Sequence, residues 1–229
     1  MYYPHIYLGK ILPYEGSSPS AIAKCAVKQQ VMLNALGLEG DEQAEKKVHG
    51  GPDRALCHYP REHYDHWKAQ YPTLHAHFQA PAFGENISTI GLTEENVYIG
   101  DIFRWGNALI QVTQPRSPCY KLNYHFGIHD LSEIMQNSGK CGWLYRVVST
   151  GEVGPNQPLE LLSHTSNVSV AEAIAIAFHM PFDQRRCQRL LSAAGLSASW
   201  SKTMQMRLLN EKIEDFSYRL TGMRPTHTR

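Results

Sequence analysis

Along the first 163 positions the apolar residues come in short runs broken by Gly, Pro and Asn, without the three-to-four-residue recurrence of an amphipathic helix. Ile102-Phe-Arg-Trp105 and Ala108-Leu-Ile-Gln-Val-Thr113 flank Gly106-Asn107, a two-residue hairpin signal. Within the second run Ala108, Ile110 and Val112 share one face, as a half-buried strand requires. Trp143 to Val148 and Pro158 to Leu162 are two more strands, separated by a Gly/Pro-rich turn. His5 to Leu12 and Ser20 to Lys28 are short mixed segments, and Val31 to Asp41 ends in turn residues. One helix is expected among them, opened by Pro60 and running to Gln70 before Pro72. Short strands at this spacing predict a barrel or sandwich.

The pattern changes after Ser163. Ser169-Val-Ala-Glu172 reads as a capping box that opens an alanine-rich apolar run through Phe178. Asp183 can cap a second helix, Gln184 to Ala194, which Gly195 ends, and a third runs from about Ser199 or Trp200 past Leu209. The fold class expected is therefore mainly β with α: a barrel or sandwich over 1–163, then a three-helix bundle over 164–222 and a loose tail over 223–229. Ile174, Ala177 and Phe178 with Leu190 and Leu191 can give the helices a small core of their own, so truncation after Ser163 is expected to leave a folded barrel. The basic run Gln184 to Arg189 then faces outward, either as a solvated face or as a docking face for an acidic protein.

Composition narrows the classes. Hydrophobic residues make up 42% and charged residues 19%, which is enough apolar mass for a core and argues against disorder. A net charge of +1 does not suit a general nucleic-acid binder, and no apolar run approaches the roughly 18 residues of a membrane span. No secretory leader is evident at Met1 to Lys10. Five scattered cysteines without a Cys-x-x-Cys pair argue against a disulfide scaffold or a zinc knuckle and suit a reduced, cytoplasmic protein. The histidines are many but not organised: His58, His63 and His66 do not complete a His-Glu-x-x-His arrangement, and a solvated helix face is the favoured reading. Phosphate-loop, dinucleotide and nucleophile-elbow signatures are absent.

Three segments carry candidate chemistry. In Gln114-Pro-Arg-Ser-Pro-Cys119-Tyr-Lys-Leu122 two prolines hold an extended loop after a strand, and Cys119 lies between Arg116 and Lys121, whose charge favours a reactive thiolate. A buried cysteine with basic neighbours on the surface is the alternative. In His49-Gly-Gly-Pro-Asp-Arg54 the glycines allow backbone N–H groups to converge on an anion, and Arg54 adds a two-pronged donor; the alternative is an ordinary turn. In Phe83-Gly-Glu-Asn-Ile87, Asn86 offers an amide to a heterocycle edge or caps its own backbone.

These three segments and Gly142-Trp-Leu-Tyr-Arg146 occur in an order that resembles MOSC-domain proteins, and closely the YiiM-type members with a three-helix C-terminal extension. The resemblance covers about residues 20 to 163 and, with the helices, nearly the whole chain. It implies a β-barrel that binds molybdenum cofactor, the pterin dithiolene molybdopterin, and a reductase of N-hydroxylated compounds, including N-hydroxylated bases that it detoxifies. Cys119 is then the catalytic residue and the molybdenum ligand, a soft thiolate suited to that metal. The resemblance assigns His49, Gly50, Gly51, Arg54, Asn86, Arg116, Ser117 and Lys121 to cofactor binding. The segment Gly151 to Pro158 departs from the Gly-Asp turn of many members. A small-molecule N-hydroxylated substrate and a separate electron-donor protein are the implied partners, with no nucleic acid and no membrane; the sequence leaves the oligomeric state open. The alternatives are a Cys119 persulfide sulfur carrier and a non-catalytic cofactor carrier.

Overall fold

The structure, a computed structural model, describes residues 1–14, 17–44 and 50–223. The chain opens with β1 (His5–Gly9), a small hairpin of β2 (Leu12–Tyr14) and β3 (Ser17–Ser20), and β4 (Lys24–Val27), which returns antiparallel to β1. β5 (Val31–Asn34) and β6 (Gly37–Leu38) follow as a tight hairpin. β7 (Leu56–His58) and β8 (Ile87–Ser88) run parallel, meeting at His58 and Ile87, and the crossover between them carries α1 (His63–Gln70). β9 (Ile102–Trp105) and β10 (Ala108–Pro115) form the hairpin that Gly106-Asn107 predicts, with Gly106 at φ 54, a conformation glycine takes without steric cost. Ala108, Ile110 and Val112 are all fully buried on its inner face.

Two helices, α2 (Lys121–Phe126) and α3 (Leu131–Ser138), then precede β11 (Trp143–Ser149), β12 (Gly151–Val153) and β13 (Leu159–Ser163). They correct the expectation of a single helix in this half. Each is too short for its period to stand out, and what holds them is tertiary: Leu122, Phe126, Leu131 and Met135 bury against Tyr59, Trp67, Phe78 and Phe83.

Eight strands make one mixed sheet in the order β13-β9-β10-β11-β7-β8-β1-β4. It curls far enough for Tyr2, just ahead of β1, to bridge to Leu159 in the edge strand β13, Leu159 N donating to Tyr2 O at 2.8 Å. The segment Gly151 to Pro158 supplies β12 to a smaller sheet, β12-β5-β6.

The helical extension begins where the capping box predicts: Ser169 Oγ accepts from Glu172 N at 3.0 Å and opens α4 (Val170–Ile174), which continues as a π-helical turn over Ala175–His179. Asp183 caps α5 (Gln184–Leu191), and Ser197 caps α6 (Ala198–Asn210) through Trp200 N at 3.2 Å. A further helix, α7 (Ser217–Thr221), lies beyond the three expected. The basic positions of α5 do face outward, with Cys187 and Leu190 turned in. The helices do not keep a core to themselves. Val170, Ile174, Leu190, Trp200 and Met204 belong to the same apolar cluster as Ile110, Val112, Trp143 and Tyr145 of the sheet, so the small core expected around Ile174, Ala177 and Leu190 is continuous with that of the sheet.

Candidate functional site

Between the curled sheet and the helical extension opens a cavity of about 420 Å³. Cys57, Gln114 and Leu144 line it from adjacent strands, and the loop after β10 contributes Arg116, Ser117 and Cys119. Phe178, Ser199, Trp200, Met204 and Phe216 line it from the extension. Among the described residues six cationic side chains (Lys24, Arg54, Arg116, Lys121, Arg207, Arg219) and three carboxylates (Asp41, Glu42, Glu214) reach it. Lys24 pairs with Asp41 in a nearly solvent-free contact, and Arg207 grips Glu214 with two bonds of 2.6 and 2.8 Å. Cations therefore remain in excess over carboxylates, which suits an anionic ligand.

The loop leaves β10 at Pro115, is tied by Arg116 N to Gly142 O at 3.0 Å, and turns into α2 directly after Cys119 and Tyr120. The Arg116 guanidinium has its Nη1 shielded from solvent and without a hydrogen-bond partner. Burial works against its charge, but Cys57, Cys119 and Glu85 nearby more than offset that, and its pKa rises. Arg54 is half-buried, burial lowering its pKa, and its Nη2 donates to Ser199 Oγ at 2.9 Å. Neighbouring Asp53 fixes this turn from two directions, pairing with Arg146 at 2.9 Å and accepting from Ala198 N at 2.8 Å, the first residue of α6.

Of the residues singled out in sequence, Cys119, Arg54, Asn86, Arg116, Ser117 and Lys121 all line this one cavity. Gly50 and Gly51 do not line it. Gly51 sits at φ 102 just ahead of the short 3-10 turn Pro52–Arg54, where a Cβ would meet nothing within 4 Å, so the glycine is required by its backbone angle. His49 lies outside the described residues. Asn86 is taken up by the protein itself: its Oδ1 accepts from Cys57 N at 3.1 Å and its Nδ2 donates to Asp41 at 2.8 Å. That amide joins β7 to the Lys24–Asp41 pair and so braces the cavity wall.

Sequence reading missed Cys57, the Lys24–Asp41 pair, Glu85 and Arg219. Nothing local marks Cys57 or Arg219, since each meets the cavity only through its strand or helix neighbours. Glu85 lies next to Asn86 in Phe83-Gly-Glu-Asn-Ile87, yet nothing in that segment shows how deeply it is buried. Fully shielded, its Oε1 accepts from Tyr64 Oη at 2.6 Å, its Oε2 has no partner, and burial raises its pKa to about 7. The histidines divide. His58 is buried between Tyr145 and Thr89, with its pKa lowered by burial to about 3, and His63 is buried against Glu94 at 2.6 Å, so the solvated-face reading holds only for the exposed His66. Among the described residues no three His, Cys, Asp or Glu side chains converge as a metal site.

The MOSC domain matches residues 45–160 and the YiiM-like 3-alpha helix domain matches residues 168–211. The chain belongs to the MOSC-domain family, in its YiiM-like form with the helical extension. Protein YiiM of Escherichia coli (strain K12) is 66% identical over 223 residues, covering 97% of this chain and 100% of that one. The crystal structure of YiiM from Escherichia coli matches with a TM-score of 0.85 and 58% identity, over 96% of this chain and 98% of that one. A protein of Gibberella moniliformis (strain M3125 / FGSC 7600) named Reductase is 37% identical over 148 residues, 64% of this chain but only 26% of that longer protein. MOSC domains are associated with molybdenum cofactor binding. Among the described residues no helix is long and apolar enough to cross a membrane.

Proposed function

We propose that this chain is a cytoplasmic, molybdenum cofactor-dependent reductase of N-hydroxylated compounds, with N-hydroxylated bases as the substrate class and detoxification as the role. The observation that carries the reading is the cavity wall around Cys119: a thiol and a buried guanidinium with an unpartnered Nη1 face a space of about 420 Å³ rich in cations. The residues present fit the cofactor. Its soft metal matches a thiolate, and its phosphate and oxo groups match Arg116, Arg54 and Lys121 as charge-assisted donors. Family membership and the relative named Reductase point the same way.

When bound, the cofactor supplies the two electrons that, with two protons, convert an N–OH group to N–H and water. The chain's own part is placement. Pro115 and Pro118 restrict the loop so that Cys119 is held where a metal ligand is needed. Arg116, within electrostatic reach of Cys119 and Cys57, would offset the negative charge of the cofactor. Phe178, Trp200 and Met204 form an apolar wall that suits a planar heterocycle and limits water. Electrons come from a separate donor protein, since the sequence carries no flavin or haem fingerprint.

The test is expression with cofactor synthesis active, followed by elemental analysis and turnover of an N-hydroxylated base with a reduced dye. The reading expects molybdenum near one per chain, and Cys119→Ser should lose roughly a hundredfold or more in kcat/KM, about 2.7 kcal/mol of barrier. Full turnover by Cys119→Ser with metal bound would defeat it. Persulfide on Cys119 without metal would favour a sulfur carrier, and metal without turnover a cofactor carrier.

A further inference from the structure

Cys119 is held by residues from two distant parts of the chain, and the second part is α7, which lies past residue 211, where the match to the helical domain ends. Arg219 touches both peptide neighbours of the cysteine. Its Nη1 donates to Pro118 O, and its own carbonyl oxygen accepts from Tyr120 N at 2.8 Å. The rest of the side chain is equally constrained. Nη2 donates to Gln136 Oε1 at 2.6 Å, and the guanidinium lies 5.0 Å from the Phe178 ring centroid and 5.3 Å from that of Phe216. The guanidinium is also within electrostatic reach of Cys119. α7 itself is anchored on the two helices after the loop, α2 and α3: Asn123 Nδ2 and Ser132 Oγ both donate to Leu220 O, at 3.1 and 2.8 Å.

A short helix of five residues has little stability of its own, so these contacts are what keep it in place. The two rings and Gln136 hold the guanidinium while its Nη1 donates to Pro118 O. Such an arrangement sets the backbone on either side of a ligand residue, and with it the direction in which the sulfur leaves the chain.

The geometry points to Arg219 as a positioning residue: it clamps Pro118 and Tyr120 and so fixes where the Cys119 sulfur is presented in the cavity. This gives the C-terminal helix a part in the site that Lys121, the cation nearest in sequence, does not replace, because Lys121 opens α2 on the segment being held. The inference rests on the proposal that Cys119 is the metal ligand.

The test compares Arg219→Ala and Arg219→Lys with the unsubstituted chain, all loaded with molybdenum cofactor, by turnover and by electron paramagnetic resonance of the Mo(V) state. Displacement of a reacting group by about 1 Å can cost on the order of a hundredfold in rate. Arg219→Ala should therefore lose about tenfold to a hundredfold in kcat with KM changed less than about threefold, and its Mo(V) g-values should move as the sulfur relaxes. Arg219→Lys keeps a donor for Pro118 O and should recover most of kcat and the original signal. Wild-type kcat with an unmoved signal in Arg219→Ala overturns the inference, as does a lysine variant no better than the alanine one. If Arg219→Ala does not fold, Arg219→Gln takes its place: lowered kcat with a moved signal supports the clamp, and wild-type values for both overturn it. Failure of the parent reading looks different, because then Cys119→Ser keeps turnover and its Mo(V) signal matches that of the unsubstituted chain.

Discussion

On the sheet side of the cavity Cys57 stands opposite Leu144, and Leu144 opposite Gln114, so ladder register alone places three lining residues on three adjacent strands. On the helical side the lining residues are held by side-chain contacts. Ser197 caps the helix that carries Ser199 and Trp200, Glu214 holds Arg207, and Gln136 holds Arg219. A ladder shares its load over many backbone bonds, whereas a cap or an ion pair fails singly. The sheet wall is thus a fixed template, and the helical wall is the part that individual substitutions can move.

The largest expected effect comes from removing one side altogether. Truncation after Ser163 strips Ile174, Leu190, Trp200 and Met204 from the shared cluster and bares the sheet residues they cover. Each such side chain contributes about 1.5–3 kcal/mol by burial. The sum rivals the roughly 5–15 kcal/mol that holds a whole domain together. The truncated chain should therefore lose its near-ultraviolet circular dichroism and aggregate; a monodisperse, cooperatively melting product would show that the sheet wall stands alone.

A smaller effect separates the walls by pH. Glu85, behind the sheet wall, has its pKa raised by burial from 4.5 to about 7. Between those values the unfolded chain has released the proton and the folded one has kept it, so stability falls as pH rises, by about 3 kcal/mol in all, and levels off above about pH 7. Glu85→Gln should abolish that fall, and urea unfolding at pH 5 and pH 8 reads it directly. An equal difference between the two chains at both pH values would rule out Glu85 as the source.

The smallest effect belongs to the helical wall. Ser197→Ala removes the side-chain acceptor of Trp200 N and should cost about 1 kcal/mol, seen as a lowered Tm. It should also loosen Ser199, the partner of Arg54, so that cofactor retention falls more than Tm alone would suggest. Retention that tracks Tm would confine Ser197 to a capping role.

Much of this architecture is legible in the chain itself. The hairpin at Gly106-Asn107, the alternation that buries Ala108, Ile110 and Val112, and the caps at Ser169 and Asp183 follow from interactions within a few residues. The loop bearing Cys119 is legible for the same reason, since its prolines and its basic neighbours are adjacent in the chain. Two helices beside it are not. Lys121 to Phe126 and Leu131 to Ser138 are short and take their stability from the aromatic cluster of Tyr59, Trp67, Phe78 and Phe83, which periodicity within the segment does not reveal.

By itself, then, the sequence determined the central hairpin, the caps that start the extension, and the segment that carries the candidate sulfur, because backbone preference and near-neighbour hydrogen bonding decide these. Tertiary structure alone decided that Cys57 joins the same cavity, that Asn86 braces the wall from within, and that Arg219, far along the chain, closes on Pro118 and Tyr120. Those meetings depend on the curl of the sheet and on the helices sharing its core, and both are set by the burial of apolar faces far apart in sequence.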